Sequence, residues 1–171
     1  MKILFLGDIV GDAGCAAVKK YLTKKIKELE IDFVIANGEN AAKEGVGITE
    51  SITNSLFDFG VDVVTTGNHV WDQKETLEHI NREKKLLRPL NMQQSSPGRG
   101  FGVYISKKGF KVGVLNLIGN IFMPGKGKYE DVFETAQKFI DKNKLKIDFD
   151  FLLVDFHGEI TSEKMAMGHF F

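Results

Sequence analysis

Apolar runs and segments of helical periodicity alternate along the first half of the chain. Three short runs dominated by apolar residues have the composition of strands covered on both faces, and they lie at 3–6, 33–36 and 61–66. Between and after these runs, apolar residues recur every three or four positions, which predicts helices over 15–29, 49–60 and 74–80. This β-α-β-α-β-α order predicts a parallel sheet joined by right-handed crossovers, and therefore an α/β fold.

The pattern changes after residue 100. Two apolar runs, 103–105 and 112–117, flank a Lys-Lys-Gly sequence, which is typical of a β-hairpin. A segment with one apolar face predicts a helix over 129–143, and another apolar run predicts a strand over 149–154. We predict no helix or strand in the segment that follows 155–159.

Bulk composition narrows the class of protein. The 171 residues are 43% apolar and 27% charged, which is ordinary for a globular protein, and we expect residues 1–171 to form one domain. Lys plus Arg and Asp plus Glu each number 23, so no net charge favours nucleic acid or an anionic membrane. The single cysteine, Cys15, and the lack of an apolar run of ~20 residues predict a soluble, cytoplasmic protein.

Polar side chains suited to metal binding follow four of the predicted strands. They are Asp8, Glu39 with Asn40, Asn68 with His69, and His157. Taken singly, each has an ordinary explanation as a turn residue, a solvated loop residue or a hydrogen-bonded core histidine. Ligands of open α/β sheets bind outside the carboxyl ends of the strands, so we expect these residues to meet in one site.

The chemistry of these side chains limits which metal they would bind. The donors are oxygen and nitrogen, with no thiolate among them. Such a set suits Fe, Mn, Zn or Co and argues against an iron–sulfur cluster or a structural zinc site. Several oxygen donors with imidazole would hold two ions ~3.5–4 Å apart that share a carboxylate. Such a pair supplies a hydroxide nucleophile at neutral pH and clamps the oxygens of an in-line displacement at phosphorus.

Other phosphate- and nucleotide-binding classes fit the sequence less well. A haloacid-dehalogenase-type phosphatase would need a second aspartate where the chain has Val10. The first strand is followed by Asp8 rather than by a Gly-x-Gly-x-x-Gly pattern, and no Gly-Lys-Ser/Thr of a P-loop follows a strand. The remaining alternative is a regulatory or binding protein that keeps the fold without turnover.

Four ordered motifs carry a specific resemblance to a known family. They are Gly7-Asp8-Ile9-Val10-Gly11, Asn37-Gly38-Glu39-Asn40-Ala41, Gly67-Asn68-His69 and Asp155-Phe156-His157-Gly158-Glu159. Together they closely resemble the YmdB-type calcineurin-like metallophosphoesterases, over essentially the whole chain. The resemblance implies a four-layer α/β/β/α sandwich around two metal ions, often iron. It also implies hydrolysis of phosphodiesters, with 2′,3′-cyclic nucleotides as small-molecule substrates.

The resemblance assigns the metal ligands residue by residue. Asp8, Glu39 and Asn40 look like ligands of the first metal. Glu39 would bridge to the second metal, which Asn68 and His157 would also bind. The metals implied are two divalent or trivalent ions, with iron first and Mn, Zn or Co as alternatives.

The other histidines receive different predicted roles. His69 is similar to the family's general acid, and an imidazole suits proton transfer because its unperturbed pKa lies near neutrality. We add Asp72, three residues later, as a candidate that orients His69. We interpret His79 as a helix-face residue and His169 as incidental, and we give Glu163 no role beyond capping or a loop contact.

One motif of the resembled family has no counterpart in this sequence. A Gly-Thr-His-Thr-His-type segment would complete both metal shells, and after His157 the only histidine is His169. We therefore expect part of the second sheet to be missing, and we favour a chain that is the N-terminal two thirds of a longer protein. A second chain, such as another subunit of a homo-oligomer, or a shortened relative with a binding role would explain the same departure. In each case we predict that this chain alone binds its second metal weakly and hydrolyses phosphodiesters slowly.

Overall fold

The computed structural model describes residues 1–124 and 129–171, in which two three-stranded sheets and five helices are found. In chain order the elements are β1 (Ile3–Leu6), α1 (Gly11–Leu29), β2 (Phe33–Asn37), α2 (Glu50–Asp58), β3 (Val63–Thr65), α3 (Thr76–Arg82), β4 (Phe101–Ile105), β5 (Lys111–Ile118), α4 (Val132–Lys142), β6 (Phe151–His157) and α5 (Thr161–Phe170). None of the helices in these described ranges is long and apolar enough to cross a membrane. The fold is therefore of the mixed α/β class.

The first sheet has the order β1-β2-β3, and all of its strands are parallel. Its register pairs Leu6 with Ala36 and Asn37 with Thr65, so the three strands end at nearly the same level. The prediction of a parallel sheet with helical crossovers is confirmed. The polar loops that follow these strands consequently leave the sheet side by side.

The second sheet has the order β4-β5-β6 and mixed strand directions. β4 and β5 pair antiparallel, with Phe101 opposite Leu115, which confirms the predicted hairpin. β6 then returns through α4 and pairs parallel to β5, with His157 opposite Ile118. The carboxyl ends of β5 and β6 therefore lie side by side, with His157 as the last residue of β6.

Three apolar clusters pack against the faces of the sheets. Helices α1 and α2 contribute Leu22 and Leu56 to the cluster on one face of the first sheet. Helices α4 and α5 contribute Phe139 and Met167 to the cluster on the second sheet. A third cluster joins alternate residues of the two sheets, Phe33, Ile35, Val63, Val112 and Val114, and also includes Leu87, which lies outside both sheets. Burial of all three apolar surfaces stabilises the contact between the sheets and their helices.

Several element boundaries differ from those predicted. α1 begins at Gly11 rather than at residue 15, because Gly11 adopts a positive φ of 55° that turns the chain directly into the helix. β6 is shifted to Phe151–His157, so His157 ends the strand rather than following it. α4 begins later than predicted, where the Asp131 side chain accepts a hydrogen bond from the Glu134 N–H and caps the helix.

The prediction of no regular structure after β6 was wrong, since α5 spans Thr161–Phe170. Its inward face is formed by Glu163 and Met167, one helical turn apart and respectively 4% and 2% exposed. Glu163 Oε1 accepts a hydrogen bond of 2.8 Å from the Asn120 N–H. Because a glutamate occupies a position of this face where an apolar residue is usual, the apolar periodicity from which a helix is predicted is weak here.

β1 and β6 are edge strands within the described residues, because each pairs with one neighbour only. Beside β1 lies an apolar groove of about 320 Å³ bordered by Leu4, Leu6 and Tyr21. All seven residues of β6 are half-buried. These edges present unpaired backbone groups to which further strands can be added.

Candidate metal-binding and catalytic site

The ends of β1 and β2 bring the first carboxylates together. The Asn40 side-chain amide donates hydrogen bonds to Asp8 Oδ2 at 2.8 Å and to Glu39 Oε1 at 3.3 Å. The two loops are also tied through their backbones, since the Gly11 N–H donates to the Asn40 carbonyl at 2.8 Å. Asp8, Glu39 and Asn40 therefore form one cluster of oxygen donors, as the sequence predicted for their position.

Glu39 is the most deeply buried residue of this cluster. It is 2% exposed, and within the described part of the chain its Oε2 atom has no hydrogen-bond partner. Burial, reinforced by the neighbouring charge of Asp8, raises the pKa of the Glu39 carboxyl to about 7. A buried, unpaired carboxylate oxygen is unfavourable, and a cation placed against it would remove that cost.

Gly67, at the end of the first sheet, allows the third strand to approach this carboxylate. A Cβ atom at position 67 would collide with the Glu39 carboxylate and would lie 2.8 Å from Cγ of His157. Only glycine leaves that space open. The Gly67-Asn68-His69 turn can therefore pass directly between Glu39 and His157.

His157 joins the site from the second sheet. Its Nε2 lies 2.8 Å from Asn68 Oδ1, and its Nδ1 lies 3.5 Å from Glu39 Oε1. Burial lowers the pKa of His157, although the nearby Asp155 carboxylate opposes that shift. A lowered pKa favours neutral imidazole, the form in which histidine binds metals. The structure thus brings together the residues of all four predicted strand ends.

His69 forms a pair with Asp72 at the rim of the site. His69 Nδ1 lies 2.7 Å from Asp72 Oδ2, and both side chains are partly exposed. This contact is the one proposed from the sequence for Asp72. A carboxylate at Nδ1 fixes the orientation of the ring.

Residues 4–171 match the sequence model of the family described as YmdB-like protein. The chain belongs to this family. It is 41% identical over 168 residues to the 2′,3′-cyclic-nucleotide 2′-phosphodiesterase of Bacillus subtilis (strain 168), covering 98% of this chain and 61% of that protein.

Solved structures of similar proteins agree with this assignment. A crystal structure of a protein from Thermus thermophilus superposes with a TM-score of 0.88 at 36% identity, covering 99% of this chain and 63% of that one. A structure described as a novel phosphatase from Mycoplasma pneumoniae gives a TM-score of 0.88 at 35% identity, covering 100% and 60%. The chain thus spans about three fifths of the length of the relatives it matches.

The predicted donors of this YmdB-like chain fit a cation, but the set includes asparagine amides as well as carboxylates and imidazole. Within residues 1–124 and 129–171, no group of three or more His, Cys, Asp or Glu side chains is arranged so that it could hold a metal ion. Two of the predicted donors are asparagines, which lie outside that set of residue types. The unpartnered Glu39 Oε2, the space that Gly67 leaves open and the oxygen–nitrogen donor set all fit a cation.

Sequence reasoning missed the residues that hold the two sheets in position behind this site. Asp155 Oδ2 accepts hydrogen bonds from Thr65 Oγ1 and from the Asn37 amide at 3.0 Å. Asn116 Oδ1 accepts from the Thr66 N–H at 3.1 Å, and its amide donates to the Asp155 carbonyl at 3.3 Å. The sequence feature that could have indicated these contacts is a polar residue within an apolar run, as at Asn116 in β5 and at Asp155 in β6.

A large pocket beside His69 was also missed. It has a volume of about 620 Å³ and is lined in part by Trp71, Met92, Gln93 and Tyr129. Burial raises the pKa of the Tyr129 phenol, and the negative charge of Glu39 adds to this shift. Loops from distant parts of the chain form this pocket, so no local pattern announces it.

The two histidines outside the candidate site lie in helices. His79 is in α3, as predicted, where it is buried and its Nδ1 lies 3.5 Å from Glu50. His169 is exposed in the last turn of α5. Lys126 and Lys128, which the sequence predicts to be solvated, lie outside the described residues.

Proposed function

We propose that this chain carries the catalytic residues of a metal-dependent phosphodiesterase that hydrolyses 2′,3′-cyclic nucleotides. The observation that carries the proposal is the buried Glu39 carboxylate, whose unpartnered oxygen faces the turn that presents Asn68 and His69. The Bacillus subtilis relative, named as a 2′,3′-cyclic-nucleotide 2′-phosphodiesterase, supports the substrate class.

The proposed metal centre uses the five donors around Glu39. Asp8, Glu39 and Asn40 would hold a first ion, and Glu39, Asn68 and His157 would hold a second. Iron is the first choice, with Mn, Zn or Co accepted by the same donors. When bound, such a pair supplies Lewis acidity towards phosphoryl oxygens and activation of water near neutral pH.

The proposed proton donor is His69. Asp72 holds Nδ1 of the ring, which leaves Nε2 to face the substrate. As the bond between phosphorus and the leaving ribose oxygen breaks, that oxygen takes the proton from Nε2, and a water oxygen becomes bonded to phosphorus and releases a proton to solvent. The Asp72 carboxylate orients the ring for the transfer, and the ring regains its proton from solvent.

The proposed architecture is a four-layer α/β/β/α sandwich formed by residues 1–171 as a single domain. The three apolar clusters that alternate with the two sheets support this arrangement. The open edge of β6 supports a second sheet with fewer strands than a complete family fold would have. The cytoplasmic location and the homo-oligomer stay predictions.

A second candidate function is a binding module of the same fold with little or no turnover. It is favoured by one observation, the lack of a group of three or more His, Cys, Asp or Glu side chains able to hold a metal among the described residues. Slow hydrolysis by this chain alone would agree with either function. Only the dependence of that hydrolysis on His69 separates them.

The test compares His69→Ala with His169→Ala, a matched change at an exposed histidine on α5. Each purified variant is loaded with Fe or Mn and assayed on 2′,3′-cyclic AMP, with bound metal measured by elemental analysis. We expect His69→Ala to lower kcat about 10²-fold or more and His169→Ala to leave it unchanged. Equal turnover by the wild type and His69→Ala, or no metal-dependent turnover at all, would reject the catalytic proposal.

A further inference from the structure

The pocket beside His69 is large enough for a ligand much bigger than a phosphate. Its volume is about 620 Å³, within the ~300–1,000 Å³ typical of small-molecule sites. Asn68 and His69 are part of its lining. A molecule whose phosphate reaches the proposed metal centre would therefore place its remaining atoms in this pocket.

The lining favours a flat group with an aromatic face. Trp71 and Tyr129 supply aromatic rings and Met92 a polarisable thioether, while Gln93 adds an amide that can donate and accept hydrogen bonds. A purine or pyrimidine combines an aromatic face with polar edges and matches this lining.

The two aromatic residues are anchored rather than free to move with the loop surface. Both are half-buried and pack against the apolar cluster of the first sheet. The backbone of Tyr129 also pairs with that of Met92 in an isolated antiparallel bridge. Aromatic side chains fixed in this way lose little conformational freedom when a ring stacks on them.

We propose that this pocket binds the base of the nucleotide substrate, with Trp71 and Tyr129 as stacking surfaces and Gln93 as a polar contact to the edge of the base. The inference rests on the proposed function for the position of the phosphate. It adds the part of the substrate that the phosphate-binding residues do not contact. The proposed base site adjoins the proposed proton donor, because Tyr129 and His69 line the same pocket.

Trp71 itself provides the assay, because it is the only tryptophan in the chain. The metal-free protein is titrated with adenosine 3′-monophosphate, and separately with ribose 5-phosphate, while tryptophan fluorescence is recorded. We expect saturable quenching by the nucleotide and none by the sugar phosphate at the same concentrations. Equal responses to both compounds would overturn the proposal.

Substitutions at Tyr129 separate stacking from a general effect on folding. Tyr129→Leu should weaken nucleotide binding about tenfold, whereas Tyr129→Phe keeps the ring and should bind within about twofold of the wild type. Tyr21→Leu is the matched control, since Tyr21 is half-exposed on α1 and lines the groove beside β1 instead. Unchanged affinity in Tyr129→Leu, or an equal loss in Tyr129→Phe, would show that the ring is not a stacking surface.

Failure of this inference and failure of the proposed function give different results. Nucleotide-specific quenching with no metal-dependent hydrolysis in any variant would leave the base site in place and reject the catalytic function. Hydrolysis that depends on His69, together with quenching that does not distinguish nucleotide from sugar phosphate, would reject the base site alone. Gln93→Ala tests the proposed polar contact to the base directly, and we expect it to lower the affinity for the nucleotide several-fold.

Discussion

The two sheets contribute to the candidate site in different ways. The first sheet supplies Asp8, Glu39 and Asn68 from three successive parallel strands whose register alone brings their ends together. The second sheet supplies only His157, and its position depends on the β5–β6 register and on hydrogen bonds that cross between the sheets. The donors of the first sheet thus follow from local topology, whereas the position of His157 depends on long-range packing.

The largest expected effect, on both metal affinity and stability, comes from filling the space that Gly67 leaves between Glu39 of the first sheet and His157 of the second. Gly67→Ala places a methyl group against the Glu39 carboxylate and the His157 ring, so one of them must move. We expect metal affinity to fall about 10²-fold and the free energy of unfolding to fall by about 1–3 kcal/mol. Metal titration and urea denaturation measure the two effects.

Gly168→Ala is the control for that change, because a Cβ atom at position 168 meets nothing within 4 Å. Gly168 lies in α5, and alanine is the better helix former by roughly 1 kcal/mol. Metal affinity should therefore be unchanged and stability equal or higher. A Gly67→Ala protein with wild-type metal affinity would mean that Glu39 and His157 do not act as a unit.

The donors that the first sheet supplies to the site could be predicted from the sequence, because the position of each strand and the connections between the strands are both visible in local patterns. Apolar runs mark the strands, and parallel strands joined by short crossovers end at one edge, so Asp8, Glu39 and Asn68 had to lie near each other. The same argument predicted the His69–Asp72 contact, since three residues in one turn are within reach. These local patterns were sufficient to place Asp8, Glu39 and Asn68 at one edge of the first sheet.

The contacts behind and beside the site could not be predicted, because they join parts of the chain that no pattern relates. Thr66 and Asn116 are 50 positions apart, and only the packing of one sheet on the other brings them together. The pocket lining of Trp71, Gln93 and Tyr129 comes from separate loops in the same way. α5 was missed for a different reason, because buried Glu163 hides the apolar face of that helix.

A second substitution breaks the link between the sheets without touching the proposed ligands. Asn116→Leu removes the acceptor for the Thr66 N–H, and both residues are fully buried. An unsatisfied buried donor should lower the free energy of unfolding by about 2 kcal/mol, measured by urea denaturation. Asn54→Leu, at an exposed position on α2, should change it by less than about 0.5 kcal/mol. Equal values for the two variants would contradict a role of Asn116 in joining the sheets.

A third substitution tests a pair that belongs to the first sheet alone. Asp72→Asn removes the carboxylate that contacts His69 Nδ1 and orients the ring, so we expect kcat on 2′,3′-cyclic AMP to fall about tenfold with metal content unchanged. A p-nitrophenyl ester needs little help from an acid, because its leaving group departs as a stable anion. The loss should therefore be smaller on that substrate, and Asp58→Asn, on the exposed end of α2, should affect neither.

The smallest expected effects concern two aspartates, each preceding a strand of the first sheet. Asp32 accepts a hydrogen bond from the Lys2 N–H and pairs with Lys108 of the β4–β5 hairpin at 3.2 Å, so it links the two sheets. Asp62 accepts a hydrogen bond from the Val34 N–H at 2.8 Å, within the first sheet only. The Lys2 N–H and Lys108 lower the pKa of Asp32, whereas burial raises the pKa of Asp62.

These opposite pKa shifts predict opposite dependences of stability on pH. A lowered pKa means that Asp32 stabilises the fold above the pKa of the unfolded chain, and that this contribution disappears as pH falls through the folded-state pKa. A raised pKa means that Asp62 binds its proton more tightly when folded, so its contribution is lost as pH rises through the folded-state pKa. Asp32→Asn should therefore lower Tm at pH 7 more than at pH 3. Asp62→Asn keeps an acceptor for the Val34 N–H, and its Tm relative to the wild type should be higher at pH 7 than at pH 3. If the two variants changed Tm with pH in the same direction, the distinction between the two aspartates would be contradicted.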